Sequence, residues 1–353
     1  MDIITKIAVL TIPLFSGVLL SCEHNSSLMK EGRIKFVEPE KVMSVDPDTS
    51  LSDSFREIPY AYNLQIINDS ILIIHSQSHE TESNQFIAYD MGDYHRLGSF
   101  VKQGRGPGEI LEPWIVPSDA RQKGLYVRDN ASGAAYIIDV MRVLGGDNED
   151  SFQEVDIPDG TVDWAPLNST NYLLLVNEHN ELTIQLTGTQ KHTFHPYRGL
   201  NADRYIPKFS SILTGNEAQG KLAYAMLCFP QIAIIDYKSK EIHSSAVDPS
   251  YKNWESILKS QFSPESMQYY RTLTSSDKYI IALYDGCSLS DTASPSHIPT
   301  IHIFDWEGRF LYELRVRENI GAMSLDSCSS YLYCIDNSSG QIIRYDLSGI
   351  LGE

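Results

Sequence analysis

The sequence predicts an all-β fold, a six-bladed β-propeller with four-stranded antiparallel blades. Three observations carry this reading. Apolar runs that end in an acid recur along the chain: "FIAYD" (86–90), "AYIID" (135–139), "IAIID" (232–236), "IHIFD" (301–305) and "IIRYD" (342–346). "ELTIQL" (181–186) is the same strand without its acid. Asp90 and Asp139 stand 49 residues apart, and Asp139 and Asp236 stand 97 apart, or two units. A period near 50 in six copies describes a radial β-array. Second, a β-rich run precedes each of these strands: "ILIIHSQ", "GLYVRDN", "NYLLLVNE", "LAYAMLCF", "KYIIALYD" and "SYLYCIDN". Such runs suit strands half-buried between neighbouring sheets. Third, helical periodicity is scarce.

Within a unit, the acid-ended strand leads into a turn such as "MGDY", "YKSK" or "WEGR". A short carboxylate there accepts free backbone N–H groups. Another strand comes next: "RLGSF", "EIHSSAV" or "FLYELRV". A helical insertion is expected near 250–270, where Trp254, Ile257, Leu258 and Phe262 fall at helical spacing and Ser263 and Pro264 read as a second helix start. With the loop "GCSLSDTASPSHIP" (286–299), it accounts for the 69 residues from Asp236 to Asp305. The last unit lacks a fourth strand, and an unpaired edge is a hazard. "RIKFVE" (33–38) or "SFREIPY" (54–60) is expected to complete blade six and fasten the ring.

"QGRGPGE" (103–109) lies between the outer strand of blade one and the start of blade two. It reads as an inter-blade crossing, with glycines for positive φ and Pro107 for stiffness. A phosphate loop would need a following helix and a GK[ST] ending, which are absent. The alternative is a ligand loop presenting Lys102, Arg105 and Glu109 at the mouth of the ring.

The first 21 residues read as a leader. Lys6 supplies a positive n-region and "IAVLTIPLFSGVLL" an apolar stretch of signal-peptide length. "LLSC" resembles the bacterial lipoprotein lipobox, which implies removal of residues 1–21 and lipidation of Cys22. Residues 22–50 then form a tether with a closing strand, and residues 51–353 the propeller. The remaining cysteines, Cys228, Cys287, Cys328 and Cys334, show no CxxC or zinc spacing and read mostly as buried free thiols.

The lipobox, "QGRGPGEI" and the six units together resemble the TolB-like six-bladed β-propeller lipoproteins of Bacteroidetes, related in shape to NHL-repeat propellers. "LSDSFREIPY" resembles the N-terminal pattern of that family, and the resemblance spans about residues 50–347. It implies an envelope location, most simply the outer membrane. The family has no established common activity, so no residue role is carried over.

Motifs for chemistry are missing. GxSxG and HExxH are absent. His192 and His195 in "KHTFHPY" would face opposite sides of a strand. Asp46, Asp48 and Asp53 lack the glycine and terminal glutamate of a calcium loop. No metal or cofactor is expected. A net charge of −18 disfavours nucleic acid. Trp114, Trp164, Trp254 and Trp306 fall near connections, where rings stack on sugars or peptides. The reading is a lipid-anchored, monomeric binding or scaffold module for an envelope protein, peptide or glycan. Its candidate ligand residues are Lys102, Arg105, Glu109 and Trp114. The alternative is a glycan-active lyase or hydrolase whose acids come from several blades; a close pair of inward carboxylates would mark it.

Overall fold

The computed structural model describes residues 33–352, except 49, 56–57, 59, 77–83, 148–149, 179–180, 189–190, 197–207 and 209–210. The leader, Cys22 and the tether to residue 32 lie outside the described residues.

Two strands, β1 (Arg33–Phe36) and β2 (Lys41–Ser44), precede the ring. Blade one is β3 (Ala61–Ile67), β4 (Ile71–Ser76), β5 (Asn84–Asp90) and β6 (Arg96–Lys102). Blade two is β7 (Pro113–Ile115), β8 (Leu125–Asp129), β9 (Ala135–Ile138) and β10 (Phe152–Val155). Blade three is β11 (Thr161–Pro166), β12 (Tyr172–Glu178), β13 (Glu181–Leu186) and β14 (His192–Phe194). Blade four is β15 (Ser211–Asn216), β16 (Lys221–Met226), β17 (Gln231–Asp236) and β18 (Glu241–Ala246). Blade five is β19 (Met267–Ser275), β20 (Tyr279–Ser288), β21 (Thr300–Asp305) and β22 (Phe310–Arg315). Blade six is β23 (Ile320–Leu325), β24 (Tyr331–Asp336) and β25 (Gln341–Asp346).

The six-bladed propeller is as the repeat predicts, and every acid-ended strand is the third of its blade. The acids cap the adjoining turns. Asp90 Oδ1 accepts the Gly92 N–H, Asp236 Oδ1 those of Lys238 and Ser239, and Asp305 Oδ1 those of Glu307 and Arg309. In blade two the same position caps a short helix, Val140–Leu144, where Asp139 accepts the Arg142 N–H. Among the described residues there are six apolar cores, one between each pair of adjacent blades, because each twisted sheet buries both faces against its neighbours.

The blades are small antiparallel sheets built on four strands, as expected, with differences at the rims, but the predicted closure does not hold. Blades four and five have five strands and blade six has three. β1 adds to β18 in parallel, with Arg33 opposite His243, and β2 adds to β22 in parallel, with Lys41 opposite Tyr312. So "RIKFVE" extends blade four, not blade six. Phe55 of "SFREIPY" belongs to a 3₁₀ helix, Ser50–Phe55, which does not pair as a strand. At the outer edge of β25 one isolated bridge forms among the described residues: Asp48 and Arg344 exchange both backbone hydrogen bonds, and Arg344 Nη2 meets Asp48 Oδ2 at 2.5 Å. Asp48 also accepts the Ser50 hydroxyl and N–H, and these bonds with Arg344 hold its carboxyl at about 2.

The described residues between 33 and 55 are thus a belt around the outer rims of blades four, five and six. Leu51 and Phe55 then enter the core between blades six and one, beside Tyr89, Tyr333 and Ile342. The ring closes by side-chain packing at that seam, helped by Tyr94 Oη on Tyr333 Oη at 2.8 Å and Ser327 Oγ on Asp69 Oδ2 at 2.7 Å. The folded unit therefore begins before residue 51.

The helical insertion is shorter than the periodicity predicts. It comprises a 3₁₀ turn, Pro249–Asn253, and a helix, Trp254–Lys259. Ser263–Ser266 make a turn, and Met267 already belongs to β19. Tyr269 and Tyr270 are buried in the core between blades four and five, and that burial wins over the local "SPE" helix signal.

A candidate ligand cavity at one end of the axis

The first strand of each blade lies at the axis, against the first strands of its neighbours. Antiparallel order then puts the second-to-third loops and the inter-blade crossings on one face, here the mouth face. The first-to-second turns lie on the other, the base face.

The base is closed by a hydrogen-bonded collar. Arg121 of blade two reaches across the axis to Asp277 of blade five, with Nη1–Oδ2 at 2.7 Å and Nη2–Oδ1 at 2.6 Å, and also grips Asp119. Asn216 and Gln219 of blade four donate to the Asp277 carbonyl. Higher up, polar side chains stitch first strands together. Gln65 exchanges two bonds with the Ser118 backbone, Thr214 Oγ1 meets Ser275 Oγ at 2.6 Å, and Ser324 Oγ accepts the Ile66 N–H. These side chains are buried, and each is satisfied across a blade boundary, as buried polar groups must be.

Above this plug a cavity of about 180 Å³ opens at the mouth. Every blade contributes: Tyr62 and Asn63, Trp114, Asp163 and Trp164, Ile212, Arg271 and Gly321, with Arg128 reaching in from β8. Arg128 donates from Nη1 to the Val162 carbonyl at 2.7 Å and from Nη2 to the Thr161 carbonyl at 3.0 Å. Its guanidinium is thereby parked at the foot of Asp163. Asp163 Oδ1 accepts the Trp164 N–H at 2.8 Å. Burial pushes the Asp163 carboxyl up to about 7, against the opposing pull of that N–H and of Arg128. Trp164 Nε1 and Arg128 Nε are buried polar atoms without a hydrogen-bond partner. Asp163, Arg128 and Trp164 all line the cavity, so its wall joins an acid to a cation and an indole, a lining suited to a polar guest.

Arg271 forms the opposite wall. It is clamped by Asp285, Nε–Oδ2 at 3.2 Å and Nη2–Oδ1 at 2.5 Å, and donates to the Ile320 carbonyl. Tyr62 bonds His75 Nε2, and burial holds His75 down at about 3, hence neutral. The Tyr62 and Trp114 rings lie 6.2 Å apart and form an aromatic flank.

Of the four ligand residues proposed from sequence, only Trp114 lines this cavity; it is 46% exposed. Lys102, Arg105 and Glu109 sit in the crossing before it. That crossing is held from within: Glu109 Oε2 accepts the Gly106 N–H at 2.8 Å, and the Ile110 N–H bonds the Lys102 carbonyl. Gly108 has φ +74°, whereas Gly106 is not among the positive-φ glycines. Gly108→Val should therefore cost about 1–3 kcal/mol through backbone strain. Glu109→Ala should cost about 0.5–2 kcal/mol, as loss of a cap does. Arg105→Ala, at an exposed position, should stay within about 0.5 kcal/mol. Chemical denaturation of the three variants checks the order; an Arg105 effect as large as that of Gly108 contradicts it.

Asp163, Arg128 and Arg271 escape sequence reasoning because each looks like a stray charge in a β-run. The available signal is an acid inside an apolar first strand, "TVDWAP". Asp163 also yields a pH test. Its folded pKa of about 7 exceeds the unfolded value, about 3.9, so the folded state binds the extra proton. Its contribution to stability is favourable at low pH and is lost as pH rises from about 4 to 7. Asp163→Asn keeps the acceptor for Trp164 and removes the charge. The variant should melt above wild type at pH 8, with the gap shrinking toward pH 4. A gap independent of pH would refute the assignment.

The fold and cavity define a class: a six-bladed propeller whose axis is plugged at the base and open to a guest at the mouth. No protein-family model and no curated protein matches the chain. Among solved structures, a member of the DUF4221 family from Bacteroides vulgatus matches with TM-score 0.53 at 9% identity, covering 82% of this chain and 92% of that one. Kuenenia stuttgartiensis hydrazine synthase matches with TM-score 0.50 at 14% identity, covering 84% of this chain and 79% of that one. At such identities the likeness is one of fold.

Proposed function

We propose that this protein is a binding module of the bacterial envelope, a lipoprotein of the TolB-like, NHL-like propeller kind held in the outer membrane through Cys22, and that it docks a protein partner on its mouth face. The observation that carries the reading is the apolar rim of that face. Tyr60, Trp114, Phe262, Met267 and Ile298 are all exposed large apolar side chains on mouth-face segments. Exposed apolar groups on the face that carries a polar cavity suit protein recognition better than a solvated surface. The partner covers the rim and places one polar side chain or chain end against Asp163. The pairing of Trp114 and Tyr62 with a carboxylate favours a second reading, in which the guest is a sugar ring stacked on the aromatic flank. The glycan-active enzyme has less support: among the described residues the cavity lining holds one carboxylate, Asp163, while Asp285 is engaged by Arg271.

The test is cross-linking in the native host, with the tagged chain as bait. Wild type should capture a defined envelope protein, and a Tyr60→Ser, Ile298→Ser variant should lose it, while Arg121→Ser on the base face retains it. Retention by the mouth-face variant would reject docking there; binding of oligosaccharide in its place would favour the second reading. Cys22→Ser should move the protein from the membrane fraction to the soluble fraction.

A further inference from the structure

Behind the Arg271 wall of the axial cavity, on the mouth face between blades five and six, a cysteine, a histidine and an aspartate stand in line. Cys287 Sγ lies 3.5 Å from His297 Nδ1, and His297 Nε2 lies 2.8 Å from Asp285 Oδ1. The Asp285 side chain has no solvent exposure and is held by Arg271 and Gln268. With Nε2–H given to this carboxylate, Nδ1 is left as the acceptor facing the thiol. The histidine is fixed through its loop: its N–H bonds the Ser294 carbonyl, which also accepts from Asn319, and Ser338 Oγ donates to the Pro295 carbonyl. A nucleophile, a base within reach of it, and a third group orienting the base form the arrangement that activates a thiol.

We propose that Cys287 is a His297-assisted nucleophilic thiol, and that it takes up low-molecular-weight disulfides as a mixed disulfide. Burial, and the carboxylates of Asp285 and Asp291, push the thiol up, so it rests as S–H and needs a proton acceptor to react. In the step, the Cys287 proton passes to His297 Nδ1 while Sγ attacks one sulfur of the disulfide RSSR. The Sγ–S bond forms and the S–S bond breaks. The departing RS⁻ takes the proton from His297. Cys287 is oxidised and the leaving sulfur is reduced.

Two observations select this chemistry over acyl transfer and over a catalytic dithiol. Ser288 stands opposite Met267 at the end of the ladder, and the N–H groups that follow it are already engaged: Leu289 with the Ser266 carbonyl, Ser290 with the Pro264 carbonyl and Asp291 with Ser288 Oγ. None of these three is free for an oxyanion, and thiol–disulfide exchange develops none. Nor is a resolving thiol at hand among the described residues. Cys228 and Cys334 are buried in inter-blade cores, and Cys328 lies in a base-face turn. An adduct on Cys287 therefore persists until an external thiol removes it.

Cys328 is exposed and serves as the internal reference. The full chain is incubated with oxidised glutathione, and the labelling of each cysteine-containing peptide is followed by mass spectrometry. Cys287, though less exposed, should label faster than Cys328. His297→Gln should slow Cys287 about tenfold and leave Cys328 unchanged. Cys328 labelling first in wild type, or a Cys287 rate indifferent to His297→Gln, overturns the proposal. If the variant misfolds, buried Cys228 and Cys334 will label too, and the wild-type order alone then decides.

Discussion

Asp285→Ala is expected to destabilise the propeller by about 3–5 kcal/mol, a large effect for one side chain, because it leaves a largely buried guanidinium without its counter-charge. The Asp285 side chain is wholly buried, and the Arg271 side chain is 21% exposed. Three groups depend on the one carboxylate: the Arg271 fork, the Gln268 amide and the His297 ring. Arg271 also ties β19 to β23 through the Ile320 carbonyl, so the loss falls on the boundary between blades five and six. Removing both charges should hurt less than removing one. Asp285→Ala combined with Arg271→Met should recover part of the loss, as apolar replacement of buried ion pairs does. Urea denaturation of the two single variants and the double variant measures this. Additive losses would mean that the pair is not coupled.

Deleting residues 33–48 is the second large perturbation, on the order of 3–6 kcal/mol from the packing of Ile34, Val37, Met43 and Val45 against the inter-blade cores. Both parallel ladders vanish, as do the bonds from Val37 to Ala246, Glu40 to Phe310 and Val45 to Arg315. β18 and β22 then become open edges, and open edges pair with other chains. The truncated protein should melt well below wild type and associate as its concentration rises. Scanning calorimetry with light scattering tests both parts. A monomer with an unchanged melting temperature would show that the belt is ornamental.

The blades were legible because an inter-blade sheet buries both faces, and this writes apolar runs such as "ILIIHS" and "IAIID" directly into the chain. The acids that close those runs were legible too, since Asp90, Asp236 and Asp305 cap the turns next to them in sequence. Closure was not legible. A strand that joins an outer edge does so through backbone hydrogen bonds, and "RIKF" carries no mark that says blade four or blade six. The helix start read at Ser263 and Pro264 failed because a local cap was outweighed by the burial of Tyr269 and Tyr270.

The candidate sites divide in the same way. Trp114 could be chosen from sequence because it stands at an inter-blade crossing, and crossings open on the mouth face, whereas Trp306, at a third-to-fourth turn, is buried. Asp163, Arg128 and Arg271 come from blades three, two and five, and Cys287 meets His297 only once the loop before β21 folds back. By itself, the sequence determined what near-neighbour forces can write: the number of blades, their strands and the capped turns. Tertiary structure alone decided the belt, the plugged base, the seam between blades six and one, and which charges face the cavity. Each of these joins residues tens to hundreds of positions apart, and the free energy that selects them, burial of shared apolar surface and pairing of desolvated polar groups, exists only when the ring is closed.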